Sequence, residues 1–157
     1  ETELYQKAII HLNNSDFYKA EAILRPFTEK HPELAGPWTN LGLIQLKRGN
    51  LAEAEKLFRS ALTKNPNFPP ALNLLGLVEA KKGDILQAKK LYSQAIEQND
   101  DYAIAHYNLA LLYDIYLQDI KSAVPHYQRY LEIINYSDEA TANWLEELKS
   151  TLKRDAS

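Results

Sequence analysis

Apolar positions along residues 37–48 recur at helical spacing. Trp38, Leu41, Ile44 and Gln45 fall at i, i+3, i+6 and i+7, one face of a helix. Pro37 suits the first turn of that helix, where the backbone N–H needs no intrahelical partner. Gly49 stands where a left-handed residue would stop it. Asn50, with Glu53 three residues on, has the pattern of a capping box opening a second helix. The buried stripe of that second helix is expected at Ala54, Leu57, Phe58 and Ala61, and Pro66 marks its end. The pattern predicts a helix–turn–helix unit over residues 35–68.

The unit recurs 34 residues later. Leu41 falls on Leu75, Gly42 on Gly76, Leu43 on Leu77, Gly49 on Gly83, Ala54 on Ala88, Phe58 on Tyr92 and Ala61 on Ala95. Upstream, Ala8, Ala20, Leu24 and Pro32 answer Gly42, Ala54, Phe58 and Pro66. Downstream, Leu109 and Ala110 answer Leu75 and Gly76. Ala123 and Tyr127 then match Ala88 and Tyr92 only at a spacing of 35. Four repeats follow: 1–34, 35–68, 69–102 and 103–137. Asp16, Asn50, Asp84 and Asp119 sit where second-helix N-caps belong. Gly42, Gly76, Ala8 and Ala110 keep one first-helix site small, and Ala20, Ala54, Ala88 and Ala123 do so on the second helix. The fourth repeat breaks the grammar: it lacks the stopping glycine, gains a residue within Tyr116–Asp119 and carries Pro125 in its second helix. Pro26 predicts a kink in the second helix of the first repeat. Ser137, Asp138 and Glu139 start a ninth helix over 138–153, with Thr141, Leu145, Leu148 and Leu152 on one stripe flanked by Trp144. Such a helix would cover the apolar face that ends a stacked array. The expected fold is all-α: a right-handed helical-repeat solenoid of four helix pairs plus a C-terminal capping helix, one domain over residues 1–157.

The series Trp38, Leu41, Gly42, Ala54, Phe58, Ala61, Pro66 resembles the tetratricopeptide repeat, with Gln45 in place of the usual tyrosine. The resemblance covers about residues 1–137. It implies an arc of antiparallel helix pairs whose first helices line a concave face that binds a protein or peptide. The chain is also similar to small bacterial tetratricopeptide proteins, some of them envelope lipoproteins, which implies a cell-envelope or cytoplasmic setting.

In such repeats, first-helix positions 2, 5, 6, 9, 12 and 13 face the groove. Position 9 carries Ile9, Leu43, Leu77 and Leu111; position 5 carries Tyr5, Thr39, Asn73 and Tyr107; position 6 includes Asn40 and Asn108. The expected site is therefore Tyr5, Asn40, Leu43, Asn73, Leu77, Tyr107, Asn108 and Leu111. Asn amides match the N–H and C=O of a peptide backbone, and Tyr and Leu supply apolar area with little entropy loss. The aliphatic row equally fits burial by a neighbouring helix, and the Asn side chains equally fit local bonds. Chaperone-binding members of the family grip a C-terminal carboxylate with Lys and Arg at positions 2, 5 and 6. Here Tyr5, Asn40, Pro70 and Leu74 stand there, which argues against that mode.

Lys47, Arg48, Lys81 and Lys82 occupy equivalent sites in adjacent repeats. They read either as a basic rim for an acidic partner or as cations complementing helix C-termini. Tyr113, Tyr116, Tyr127, Tyr130 and Tyr136 crowd the irregular fourth repeat, as core or as interface.

Charge changes the picture little. The net charge is −3, spread as −2, +3, −1 and −3 over residues 1–34, 35–68, 69–102 and 103–157. That total, without a continuous basic face, disfavours nucleic acid. There is no cysteine, which removes disulfides, thiolate metal sites and cysteine nucleophiles. No apolar run is long enough to span a membrane. The chain has no methionine and begins at Glu1, which implies that a native N-terminus has been removed. His11, His31, His106 and His126 show no i, i+3 or i+4 pair, so no metal clasp is written on one helix. No phosphate-cradling glycine loop and no catalytic constellation is present. The sequence thus points to a non-catalytic interaction module without cofactor or metal. It would bind a protein or peptide segment in its concave groove, within a multiprotein assembly or alone. The alternatives are a scaffold that self-associates into a homo-oligomer and a regulatory domain of a larger complex.

Overall fold

The computed structural model describes residues 1–157 and is built of helices. In chain order they are α1 (Thr2–Asn13), α2 (Phe17–Lys30), α3 (Ala35–Lys47), α4 (Leu51–Lys64), α5 (Pro69–Lys82), α6 (Ile85–Gln98), α7 (Ala103–Leu111), a π-helical turn (Leu112–Tyr116), α8 (Ile120–Ile133) and α9 (Glu139–Asp155). The fold class is the expected one, an all-α helical repeat. The chain divides into two compact units, Glu1–Val78 and Glu79–Ser157, with the boundary inside α5.

In the first unit, α1 packs on α2, α2 on α3 and α3 on α4. Ala8, Ala20, Leu24, Leu41, Ile44 and Leu57 form its core, with Trp38 and Phe17 packed at the edge. The small residues allow the close approach expected of them. A Cβ on Gly42 would stand 2.5 Å from Phe58 Cε1, so only glycine lets α3 approach α4 here. Gly49 adopts φ +82°, and the next N–H, that of Asn50, donates to the Gln45 carbonyl at 2.9 Å. Ser15 (φ 58°) and Asp16 repeat that turn after α1.

Two expectations are corrected. Helix α3 begins at Ala35, two residues before Pro37, which still lies in the first turn where its missing N–H costs nothing. Asn50 stands at the N-cap of α4, but its side chain accepts no helix N–H; its amide donates to Gln45 Oε1 at 2.9 Å, satisfying a buried glutamine, so the capping box does not form. Pro26 lies inside α2 and Pro125 inside α8, each helix keeping its assignment on both sides of the proline.

In the second unit, α6 packs on α7, α7 on α8 and α8 on α9. Asp84 and Asp119 cap α6 and α8 by accepting from the Gln87 and Ser122 N–H groups at 3.2 and 3.1 Å. The one-residue slip in the sequence has a physical form. The N–H of Asp84 reaches back five residues to the Glu79 carbonyl, whereas that of Asp119 reaches back six, to Tyr113 at 2.8 Å. The added residue is taken up in the π-helical turn, where the Leu117 N–H donates to the Leu112 carbonyl at 3.0 Å. Gln118, at φ 50°, takes the left-handed place held elsewhere by glycine. Asp138, not Ser137, caps α9, accepting from the Thr141 N–H at 3.1 Å. Leu145 and Leu148 of α9 join Ala110, Ala123, Tyr127 and Leu131 in one core, so the ninth helix covers the last pair as its stripe suggested.

Candidate functional site

Each unit carries a cleft at the tyrosine that stands at position 5 of a first helix. In the first unit, α1 presents Tyr5 beside the start of α3. Tyr5 Oη accepts from Asn40 Nδ2 at 2.8 Å, and the ring packs 5.2 Å from that of Phe27. Gly36 makes room: a Cβ there would meet Tyr5 Oη at 3.0 Å. Tyr5, Phe27, Leu34, Pro37 and Phe68 line a cleft of about 450 Å³. Leu34 is 43 % exposed at its edge. Burial pushes the Tyr5 phenol above its ordinary pKa, against the opposing pull of the Asn40 bond.

In the second unit, α7 presents Tyr107, whose ring centroid lies 4.9 Å from that of Tyr130 and 6.3 Å, edge-on, from that of Tyr127. Tyr107, Leu111, Asp114, Tyr127, Thr141 and Trp144 line a cleft of about 270 Å³. The π-helical turn carries Asp114, and α8 and α9 supply its two donors. Asp114 Oδ2 accepts from the Tyr127 hydroxyl at 2.8 Å and from Trp144 Nε1 at 2.7 Å. Burial, then the neighbouring Asp114 carboxylate, drives the Tyr127 phenol far above its ordinary pKa. Burial and the bond to Asp138 push Tyr130 up to about 12.

Of the residues expected to form a site, Tyr5 and Asn40 are brought together in the first unit, and Tyr107 and Leu111 share a cleft in the second. Ile9, Leu43 and Leu77 on α1, α3 and α5, and Leu111 on α7, are each only partly buried. Asn108 is partly exposed on α7. Asn73 is 2 % exposed, so it belongs to the interior and not to an accessible surface. The basic residues separate as well. Arg48 Nη1 donates to Glu21 at 2.5 Å and Lys82 Nζ to Glu79 at 3.3 Å, while Lys47 and Lys81 are exposed. Arg48 and Lys82 therefore serve ion pairs of the fold.

Sequence reasoning missed Asp114, Trp144 and a histidine pair. Asp114 occupies position 12 of the fourth first helix, a groove position, so the repeat register held the signal. Trp144 read only as the flank of a buried stripe. His106 and His126 lie 20 residues apart on α7 and α8, and their Nδ1 atoms meet at 3.3 Å. No spacing along one helix could reveal that pair. No group of three or more metal-ligating side chains converges in the structure. No helix is long and apolar enough to cross a membrane.

Two family models of the tetratricopeptide repeat match residues 35–68 and 73–140. The chain belongs to the tetratricopeptide-repeat family. Repeats of this family generally mediate protein–protein interaction and are generally non-catalytic. Among solved structures, the fold is similar to PilF of Pseudomonas aeruginosa at 18 % identity and TM-score 0.84, covering 98 % of this chain and 69 % of that one. It is similar to a thermophilic tetratricopeptide protein of Thermus thermophilus at 21 % identity and TM-score 0.76, covering 92 % and 79 %. The first tetratricopeptide domain of Spaghetti (RPAP3), solved with an HSP90 peptide SRMEEVD, matches at 20 % identity and TM-score 0.68, covering 76 % and 95 %. These likenesses carry the fold alone. No curated protein matches the chain in sequence.

Proposed function

We propose that this tetratricopeptide-repeat chain is a non-catalytic module that docks a peptide or protein segment on the exposed faces of its first helices. The observation that carries this is the pair of clefts, one per unit, at Tyr5 and Tyr107. Both are lined mainly by aromatic and aliphatic side chains and offer few polar groups, the composition of a surface built to receive side chains. The partly buried Ile9, Leu43, Leu77 and Leu111 add apolar area that the fold leaves in contact with water. Asn40 contributes less than the sequence implied, since one of its donors holds Tyr5.

The Spaghetti domain holds a peptide ending in acidic residues. This chain has Tyr5, Asn40, Pro70 and Leu74 where the family's carboxylate-gripping cations stand. The proposed ligand is accordingly a segment that offers apolar side chains to the clefts and has no acidic terminus. The test is selection from a random peptide library on the wild-type chain. Enriched peptides are then titrated against Leu43→Glu and Leu111→Glu variants that still melt cooperatively. Loss of at least tenfold in affinity for one variant or both is expected. Peptides that bind both variants as tightly as wild type would overturn the reading.

A further inference from the structure

Asp114 is an unusual lining for an apolar cleft. Its two hydrogen bonds both come from neutral donors, the Tyr127 hydroxyl at 2.8 Å and the Trp144 indole at 2.7 Å, and both go to Oδ2. A carboxylate has about four lone-pair sites, so these two bonds leave acceptor capacity unused. No lysine or arginine of the same unit pairs with it. Trp144 is 43 % exposed and Ile115 61 % exposed, leaving large apolar side chains at the mouth. The surrounding stretch, residues 103–157, carries a net charge of −3.

A negative charge fixed by two donors and walled by aromatic rings has one chemical complement. A cation on an apolar stem gains a charge-assisted bond from the carboxylate and favourable electrostatics from the ring faces, while its stem covers Leu111 and Ile115. Arginine fits better than lysine, because its planar guanidinium both forks onto a carboxylate and stacks on rings. Apolar or acidic side chains there would desolvate the carboxylate without adding a partner, which is costly.

We propose that the cleft lined by Tyr107, Leu111, Asp114 and Trp144 receives the basic side chain, arginine foremost, of a bound peptide, with Asp114 as its counter-ion. The proposal rests on the peptide-docking reading above and names the chemistry of one anchor. It also gives the register slip a use. The extra residue forms the π-helical turn that carries Asp114, and π-helical turns recur at functional sites.

The molecule contains its own reporter. It has two tryptophans, Trp144 in the cleft and Trp38 in the first unit, so the two indole N–H signals of the ¹⁵N-labelled full chain separate local binding from bulk effects. The probes are N-acetyl-arginine methylamide and its neutral isostere, N-acetyl-citrulline methylamide. The arginine probe is expected to move the Trp144 signal saturably and leave that of Trp38 in place. The citrulline probe should bind at least about tenfold more weakly, having lost the charge-assisted bond. Asp114→Asn keeps an acceptor for Tyr127 and Trp144 and should erase the difference between the probes. Tyr107→Leu, which leaves the carboxylate untouched, should weaken the arginine probe about threefold to fivefold through the lost cation–π contact. A Trp144 signal that does not move, that moves equally with both probes, or that responds unchanged in Asp114→Asn would overturn the assignment. Selected peptides that show no preference for basic residues and bind Asp114→Asn like wild type would sink this cleft and leave the docking reading standing. Arginine binding with no peptide enriched would keep the cleft and sink the docking reading.

Discussion

The side chains of Tyr5 and Asn40, 35 residues apart on α1 and α3, are joined by a hydrogen bond from Asn40 Nδ2 to Tyr5 Oη at 2.8 Å. The bond ties the first repeat to the second at the edge of the Tyr5 cleft. Tyr5→Phe and Asn40→Ala should each cost about 0.5–1.5 kcal/mol in urea unfolding. The double variant should cost clearly less than the sum, because one bond is lost in all three. Strictly additive costs would show that the bond contributes nothing to folding.

Gly42 and Gly49 are both glycines of the repeat grammar, for unrelated reasons, and mutation separates them. Gly42→Ala drives a methyl into the buried Phe58 ring and should cost about 1–3 kcal/mol by overpacking. Adding Phe58→Leu should recover part of that. Gly49→Ala meets nothing within 4 Å, yet φ is +82°, so its cost should be about 1–2 kcal/mol from backbone strain alone. No change at Phe58 should rescue it. Thermal melts of the four variants decide both statements.

The contrast shows which parts of the molecule were legible in the sequence. Small residues at Ala8, Gly42, Ala54 and Ala88, the Asp caps and the terminal stripe of Leu145 and Leu148 are local rules of helix packing, and a period of 34 residues states them repeatedly. The site was less legible. The sequence placed Tyr5 and Asn40 near one surface, but not their mutual bond, which takes a donor away from any ligand. It placed Asn73 by register, yet neighbouring side chains bury it. The added residue near Tyr116 showed only as a slip; its conversion into a π-helical turn carrying Asp114 depends on a backbone bond between Leu117 and Leu112, five residues apart, which composition does not reveal. Likewise, Asn50 and Glu53 satisfied the pattern of a capping box, and a competing partner, Gln45, took the side chain.

Glu21 explains why Arg48 is a poor docking residue. Arg48 Nη1 and Arg25 Nη2 hold its two carboxylate oxygens at 2.5 and 2.6 Å. Burial favours the neutral acid, but the two arginines outweigh it, and the Glu21 carboxyl sits below its ordinary range. A carboxyl with a lowered folded pKa contributes stability that is present above the unfolded value and is lost as pH falls through the folded one. Arg48→Gln should therefore cost about 0.2–1 kcal/mol near neutral pH, less at high salt, and nearly nothing once Glu21 is protonated. Urea midpoints at neutral and acidic pH test this. An equal loss at both would mean that Arg48 acts through packing.

The histidine pair makes the opposite kind of prediction, with stability set by a group that resists charging. His106 Nε2 lies 2.8 Å from the Asp100 carbonyl and 3.6 Å from its carboxylate, and its Nδ1 meets His126 Nδ1 at 3.3 Å. Such a contact needs one N–H and one bare nitrogen, so it cannot survive two protonated rings. The surroundings set the cost of charging His126. Its ring stacks 5.9 Å from Tyr113, over which Lys89 Nζ lies at 5.3 Å, and Arg129 pairs with Asp100 and Asp101. Burial, and then His106, holds His126 below the ordinary histidine value. Below that value the unfolded chain binds the proton more readily, so stability is complete above it and falls as pH drops towards the folded pKa. His126→Gln should cost about 1 kcal/mol at about pH 8, where the bond between neutral rings is lost. Between about pH 8 and about pH 5, spanning the histidine range, it should lose less stability than wild type does. Parallel losses in the two proteins would assign the acid sensitivity to the carboxylates instead.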